Sequence, residues 1–140
     1  MMFKSLATFD TDFSADSVEW CPINGFEDYL VCGTYQLSSE EPQNNIAMIQ
    51  TQKRQGKIQL LRVVSPGRLE LLHTVNVAAV LDMKWAHAIY HGHLLLGVAN
   101  ATGHLQIWKI YQGKMSLYVE IKVRNTDDSG LALSLDWDSR

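Results

Sequence analysis

No run of this 140-residue chain approaches the ~18 consecutive apolar residues of a membrane-spanning helix, so no helical span is expected. The opening Met-Met-Phe-Lys-Ser-Leu-Ala-Thr is too short in apolar residues for a signal peptide, which predicts a cytosolic protein. Cysteine is scarce. Cys21 and Cys32 are the only two, and in a reducing compartment they read as buried thiols rather than a disulfide. Basic residues are not in excess either: a net charge of -3 argues against nucleic-acid binding, which needs a concentrated basic surface, and Lys53, Arg54 and Lys57 form the one basic cluster. The Gly-x-Ser-x-Gly nucleophile elbow is missing. His87, His91 and His93 lie close together but match no helical ligand pair and have no cysteine beside them, so they read as turn residues and no metal or cofactor is expected.

What the chain does have is repetition. Ala-Asp-Ser-Val-Glu-Trp (15–20), Val-Leu-Asp-Met-Lys-Trp (80–85) and Ala-Leu-Ser-Leu-Asp-Trp (132–137) share an apolar residue two places before Trp, in the alternation of a β-strand. Gly-Lys-Ile-Gln-Leu-Leu-Arg (56–62) returns as Gly-His-Leu-Gln-Ile-Trp-Lys (103–109) about 47 residues later, near the ~40–45 residues of a propeller repeat. Tyr-Leu-Val-Cys-Gly-Thr (29–34) pairs in the same way with Leu-Leu-Leu-Gly-Val-Ala (94–99), and residues 68–74 and 115–121 supply fourth strands. The prediction is an all-β, WD40-type β-propeller with about two blades and the first strand of a third. Trp108-Lys109 and Leu61-Arg62 stand where such repeats carry Trp-Asp, so the repeats are degenerate.

The expected organisation is a leading strand at 1–14 that would close the last blade and blade 1 over 15–75 with a long loop at 36–55. Blade 2 follows over 76–124, and the first strand of blade 3 over 131–140. Two blades cannot close a ring, since known propellers have at least four. The chain therefore reads as the amino-terminal part of a longer protein, with completion by an identical partner as the alternative. Because successive strands reverse direction, one end of the blades collects Asp16, Asp82, Ser134 and the 36–55 loop, whose polar composition predicts disorder.

Ala-Asp-Ser-Val-Glu-Trp-Cys-Pro (15–22), Cys-Gly-Thr-Tyr-Gln-Leu (32–37), Leu-Asp-Met-Lys-Trp (81–85) and Leu-Ala-Leu-Ser-Leu-Asp-Trp (131–137) together resemble the amino-terminal half of the WD-repeat diphthine methyl ester hydrolase family. The resemblance implies hydrolysis of the methyl ester of methylated diphthine on translation elongation factor 2, a step of diphthamide biosynthesis. It thus implies that modified factor as partner, with neither membrane nor direct nucleic-acid contact. The alternative is a non-catalytic WD-repeat scaffold. A substrate bearing a quaternary ammonium favours carboxylates and aromatic faces. Asp16, Asp82 and Tyr35 are accordingly the candidate substrate-binding residues, and the catalytic residues are not identified. Each also has a structural reading: an Asp at a strand entry bonds turn or neighbouring backbone, and a Tyr packs.

Overall fold

The computed structural model describes residues 2–39, 52–123 and 130–139. Eight strands follow one another: β1 (Ser14–Trp20), β2 (Tyr29–Ser39), β3 (Gln52–Val64), β4 (Arg68–Ala78), β5 (Val80–Trp85), β6 (Leu94–Asn100), β7 (His104–Tyr111) and β8 (Lys114–Lys122). No helix occurs among the described residues. The strands form two antiparallel sheets in simple meander order, β1-β2-β3-β4 and β5-β6-β7-β8. Each is a propeller blade, and the two stack face to face.

Turn chemistry sets the meander. Between β5 and β6, Tyr90 and His93 exchange both backbone hydrogen bonds across His91 and Gly92, whose φ values are 47° and 79°. That is the two-residue turn whose twist matches a hairpin. His87 lies in the bend just before it, so the three histidines occupy the β5–β6 connection, as their sequence suggested. At the other end of blade 2, the Asn100 side-chain oxygen accepts from the backbone N–H of Thr102 and His104 (3.0 and 3.2 Å), folding a three-residue connection from β6 to β7.

The main core lies between the blades. Val31, Ile58 and Leu60 of blade 1 meet Val80, Met83, Trp85, Leu94, Leu96, Trp108, Ile110 and Met115 of blade 2, with Leu72, Val75 and Val77 of β4 packed at its margin. A smaller cluster, Leu30, Cys32 and Leu61, occupies the opposite face of blade 1 with Phe9, Val63 and Leu69 against it. Both cysteines are buried free thiols, and burial raises the pKa of each.

Four boundaries differ from the sequence expectation. β4 runs on to Ala78, so blade 1 ends past 75. The 36–55 loop is narrower than expected, because β2 and β3 continue in register through Gln36↔Gln55, Leu37↔Arg54 and Ser38↔Lys53. Polar residues with a free partner edge extend a ladder as readily as a loop; residues 40–51 lie outside the described residues. Residues 2–13 form no ladder, and Phe9 instead lies on the small cluster of blade 1. Residues 130–139 also pair with no strand, although they dock on blade 2.

Candidate functional site

Asp16 lies at a register shift of the β1–β2 ladder, between Ala15↔Thr34 and Ser17↔Gly33, and is exposed. Leu81 occupies the same bulge in β5, between Val80↔Asn100 and Asp82↔Ala99. A bulge at the fourth residue before Trp is thus a feature of the repeat, and it re-aims the residue it holds. Asp16 and Asp82 are consequently not equivalent: Asp82 aligns with Ser17 and Ser134, three places before Trp.

Asp82 uses its carboxylate on backbone. One oxygen accepts from its own neighbour, Met83 N (3.0 Å), and the other from Leu135 N (3.1 Å), which fastens residues 130–139 to blade 2. Tyr35 is half-buried within β2, which continues past it to Ser39, and stands opposite Ser14 at the start of β1. Asp16 and Tyr35 therefore share the strand-entry end of blade 1, with Asp82 entering blade 2 beside them. None of the three lines the cleft that contains Phe13 and Lys53 or the one that contains Phe26 and Tyr29.

Two clefts lie elsewhere, and both contain residues that sequence reasoning passed over. At the same end as Asp16, an open cleft of about 600 Å³ is lined by Phe13, Lys53, Gln55, Gly56, Asn76, Val77 and Ala78. The ladder register puts Lys53, Gln55, Lys57 and Asn76 on one face of β3 and β4. The Lys57 ammonium lies 4.5 Å from the centre of the Phe13 ring and 3.1 Å from Asp12, so the N-terminal segment supplies both an aromatic wall and a counter-charge. At the opposite end, Phe26, Tyr29, Ile89, Leu94, Ile110 and Tyr111 line an apolar cleft of about 210 Å³ between the blades. Its signal in the sequence was the aromatic content of the turns, Phe26-Glu27-Asp28-Tyr29 and Ile89-Tyr90.

Alternating charges run along the residues that precede each first-strand Trp. Glu19, Lys84 and Asp136 hold that place in successive repeats, and the Lys84 ammonium is 3.1 Å from Glu19. The hydrogen bond and charge of Glu19 raise the Lys84 pKa, with Asp82 and Asp136 adding to it. Among the described residues no three His, Cys, Asp or Glu side chains are grouped to hold a metal ion. The strand-entry end thus offers a cation-π contact, the exposed amide of Asn76, the exposed Lys53 and the carboxylate of Asp16, a set suited to holding a polar ligand.

No family model matches the chain, and no solved structure matches it. Among curated proteins it is 37% identical over 139 residues to diphthine methyltransferase of Mus musculus, an alignment covering 96% of this chain and 29% of the relative. It is 39% identical over 144 residues to diphthine methyltransferase of Homo sapiens, covering 95% and 32%. The protein of that name from Schizosaccharomyces pombe is 32% identical over 127 residues, covering 91% and 34%. The chain spans about a third of the length of the curated relatives it matches. Since each of the three aligns with more than nine-tenths of it, the chain is related over nearly its whole length to one part of the diphthine methyltransferases.

Proposed function

We propose that the protein of which these blades form a part acts in diphthamide biosynthesis by hydrolysing the methyl ester of methylated diphthine on translation elongation factor 2, in the cytosol. The observation that carries this reading is the identity of 37–39% to two mammalian proteins named diphthine methyltransferase. That name describes methyl transfer; the resemblance of the motifs at 15–22, 32–37, 81–85 and 131–137 to the WD-repeat diphthine methyl ester hydrolase family supports hydrolysis instead. Water adds to the ester carbonyl, methanol leaves, and a carboxylate remains. Such a step needs a base and donors for the developing oxyanion. Asp16 and Tyr35 are proposed to face the substrate's cation at the strand-entry end.

The deciding experiment incubates the native-length protein with elongation factor 2 carrying methylated diphthine and follows the modified peptide by mass spectrometry. Loss of one methyl group with release of methanol, without S-adenosylmethionine, is the expected result. A gain of methyl groups that depends on S-adenosylmethionine would replace hydrolysis with methyl donation. A non-catalytic scaffold is favoured by one feature, the engagement of the Asp82 carboxylate by two backbone N–H groups. It predicts a complex with the factor and no mass change.

A further inference from the structure

Apolar side chains are exposed on the outer faces of the sheets, where a propeller sets further blades, but also at the turn end, over a joint whose two blades are both present. There the cleft of about 210 Å³ has the buried Leu94 and Ile110 as its floor, Phe26 and Tyr29 of blade 1 as one wall, and Ile89 and Tyr111 of blade 2 as the other. Ile89 and Tyr111, 48% and 55% exposed, stand at its mouth. The Phe26 and Tyr29 rings stack with centroids 5.7 Å apart, and the Tyr111 ring rests 5.4 Å from His93.

Tight turns hold this cleft open. Gln112-Gly113 joins the pair Tyr111↔Lys114 and His91-Gly92 joins Tyr90↔His93, each with both central residues at positive φ, the turn that leaves a hairpin no slack. On the blade 1 side, Phe26 N donates to Ile23 O (2.9 Å) and Tyr29 N to Phe26 O (3.0 Å), so both rings spring from fixed backbone. A recess already formed loses little to ordering when it is filled. Small-molecule sites enclose about 300–1,000 Å³, so this smaller one suits a single large apolar side chain. Charge selects what stands beside that side chain. Glu27 and Asp28 are exposed between Phe26 and Tyr29, Gly25 N anchors the Glu27 carboxylate (2.8 Å), and among the described residues neither acid forms an ion pair. On the other rim the exposed cation is Lys114, after Gly113, so the negative charge of this end is gathered on blade 1.

We propose that this cleft is a docking site for a linear segment of a partner protein, which seats one Leu, Met or Phe side chain on Leu94 and Ile110 and sets an adjacent Lys or Arg against Glu27 and Asp28. An apolar anchor between aromatic walls is the arrangement that concentrates binding energy in one residue, and the neighbouring cation meets carboxylates that no side chain of the blades neutralises. The cleft opens at the end of the blades opposite Asp16, so a segment held there leaves the strand-entry end free.

The test is fluorescence anisotropy of fluorescein-labelled hexapeptides on the native-length protein carrying these residues. The peptides hold Leu, Met, Phe or Ala at one position and Arg or Glu at the next, in an otherwise Gly-Ser chain. A large apolar residue beside Arg is expected to bind best, with the Ala and Glu counterparts weaker by about tenfold or more. Ile89→Ser and Tyr111→Ser, both on exposed turns, should keep the Tm and weaken that best peptide by a similar factor. Glu27→Gln combined with Asp28→Asn should abolish the preference for Arg over Glu while leaving that for Leu over Ala. No binding at millimolar peptide, equal binding by the Ile89 and Tyr111 variants, or no preference for Arg in the unaltered protein would each overturn the proposal. Protection of Tyr111 from oxidative footprinting in the native-length protein alone would overturn it too, because the cleft would then be filled by the protein's own chain.

Discussion

Trp85 does two separable jobs, filling the inter-blade core and donating to Glu19 O, so its replacements separate them. W85F keeps most of the ring and is expected to cost about 1 kcal/mol for the lost hydrogen bond, whereas W85A should cost about 3–5 kcal/mol. Urea unfolding of the two variants distinguishes them. The third-strand glutamines show the same economy of polar groups. Trp108 donates to Gln106 Oε1 at 3.1 Å, but Leu61 stands in its place in blade 1, and Gln59 Oε1 is buried without a partner among the described residues. The loss of a Trp from that repeat position thus has a visible polar consequence. Ionisation adds a pH dependence. Lys84, through Glu19, and Cys21 and Cys32, through burial, all have raised pKa values in the fold. A raised pKa means the folded state keeps its proton after the unfolded chain has begun to lose it, so stability is complete below the unfolded value and declines as pH rises. Urea midpoints are therefore expected to hold steady at neutral pH and to fall from about pH 8.5 upward, where free thiols ionise. A midpoint that rose through that range would contradict the burial of both thiols. Lys84→Met should remove the part of the decline that continues above the ordinary lysine pKa.

At the scale of elements, glycines and caps decide how strands seat. A Cβ on Gly33 would lie 2.5 Å from Val80 Cγ1, so β5 cannot approach β2 as it does with any larger residue there. Gly33→Val is expected to destabilise the two-blade unit by about 1–3 kcal/mol, as overpacking does, measured as a fall in the urea midpoint without change in its slope. Gly97→Ala should act on one element only, releasing residues 130–139 from blade 2. Faster hydrogen exchange at Leu135 N with unchanged exchange in β2 and β3 is the outcome that checks it. Asp82 belongs to this scale too, because its carboxylate ties the same segment to the entry of β5. Ser occupies its position in the other two repeats, so Asp82→Ser should fold and, in the native-length protein, retain turnover within about threefold if the carboxylate only fastens backbone. A loss of tenfold or more with an unchanged Tm would instead put Asp82 at the substrate. Asp16→Ala, on an exposed bulge, should leave stability within about 0.5 kcal/mol and isolates any effect on the substrate cation.

For the whole molecule, the stack of two sheets buries a single contiguous core, while blade 1 keeps its far face half-covered by the N-terminal segment and blade 2 is covered by residues 130–139. Each end of the stack thus carries an extended segment where a propeller has a neighbouring blade. Strand class, blade count and repeat order were legible in the residues because they depend on local periodicity: alternation of period two, turn residues around His91, and phrases that recur at a propeller spacing. The relationship to the diphthine methyltransferases was legible for the same reason, being carried by short contiguous phrases. The site was not. Asp16 and Asp82 look alike at the head of two strands, and alignment on the Trp sets them one position apart, but only the ladder register reveals that Asp16, like Leu81, occupies a bulge. The engagement of Asp82 with Leu135 joins residues 53 positions apart. So does the Trp137 bond to Lys84 O, and no periodicity encodes either. Residue order determined which strands exist, since each strand's pattern answers to its own two faces; the tertiary structure alone decided which polar groups are spent on backbone and which face a ligand, since that depends on what the neighbouring blade brings within reach.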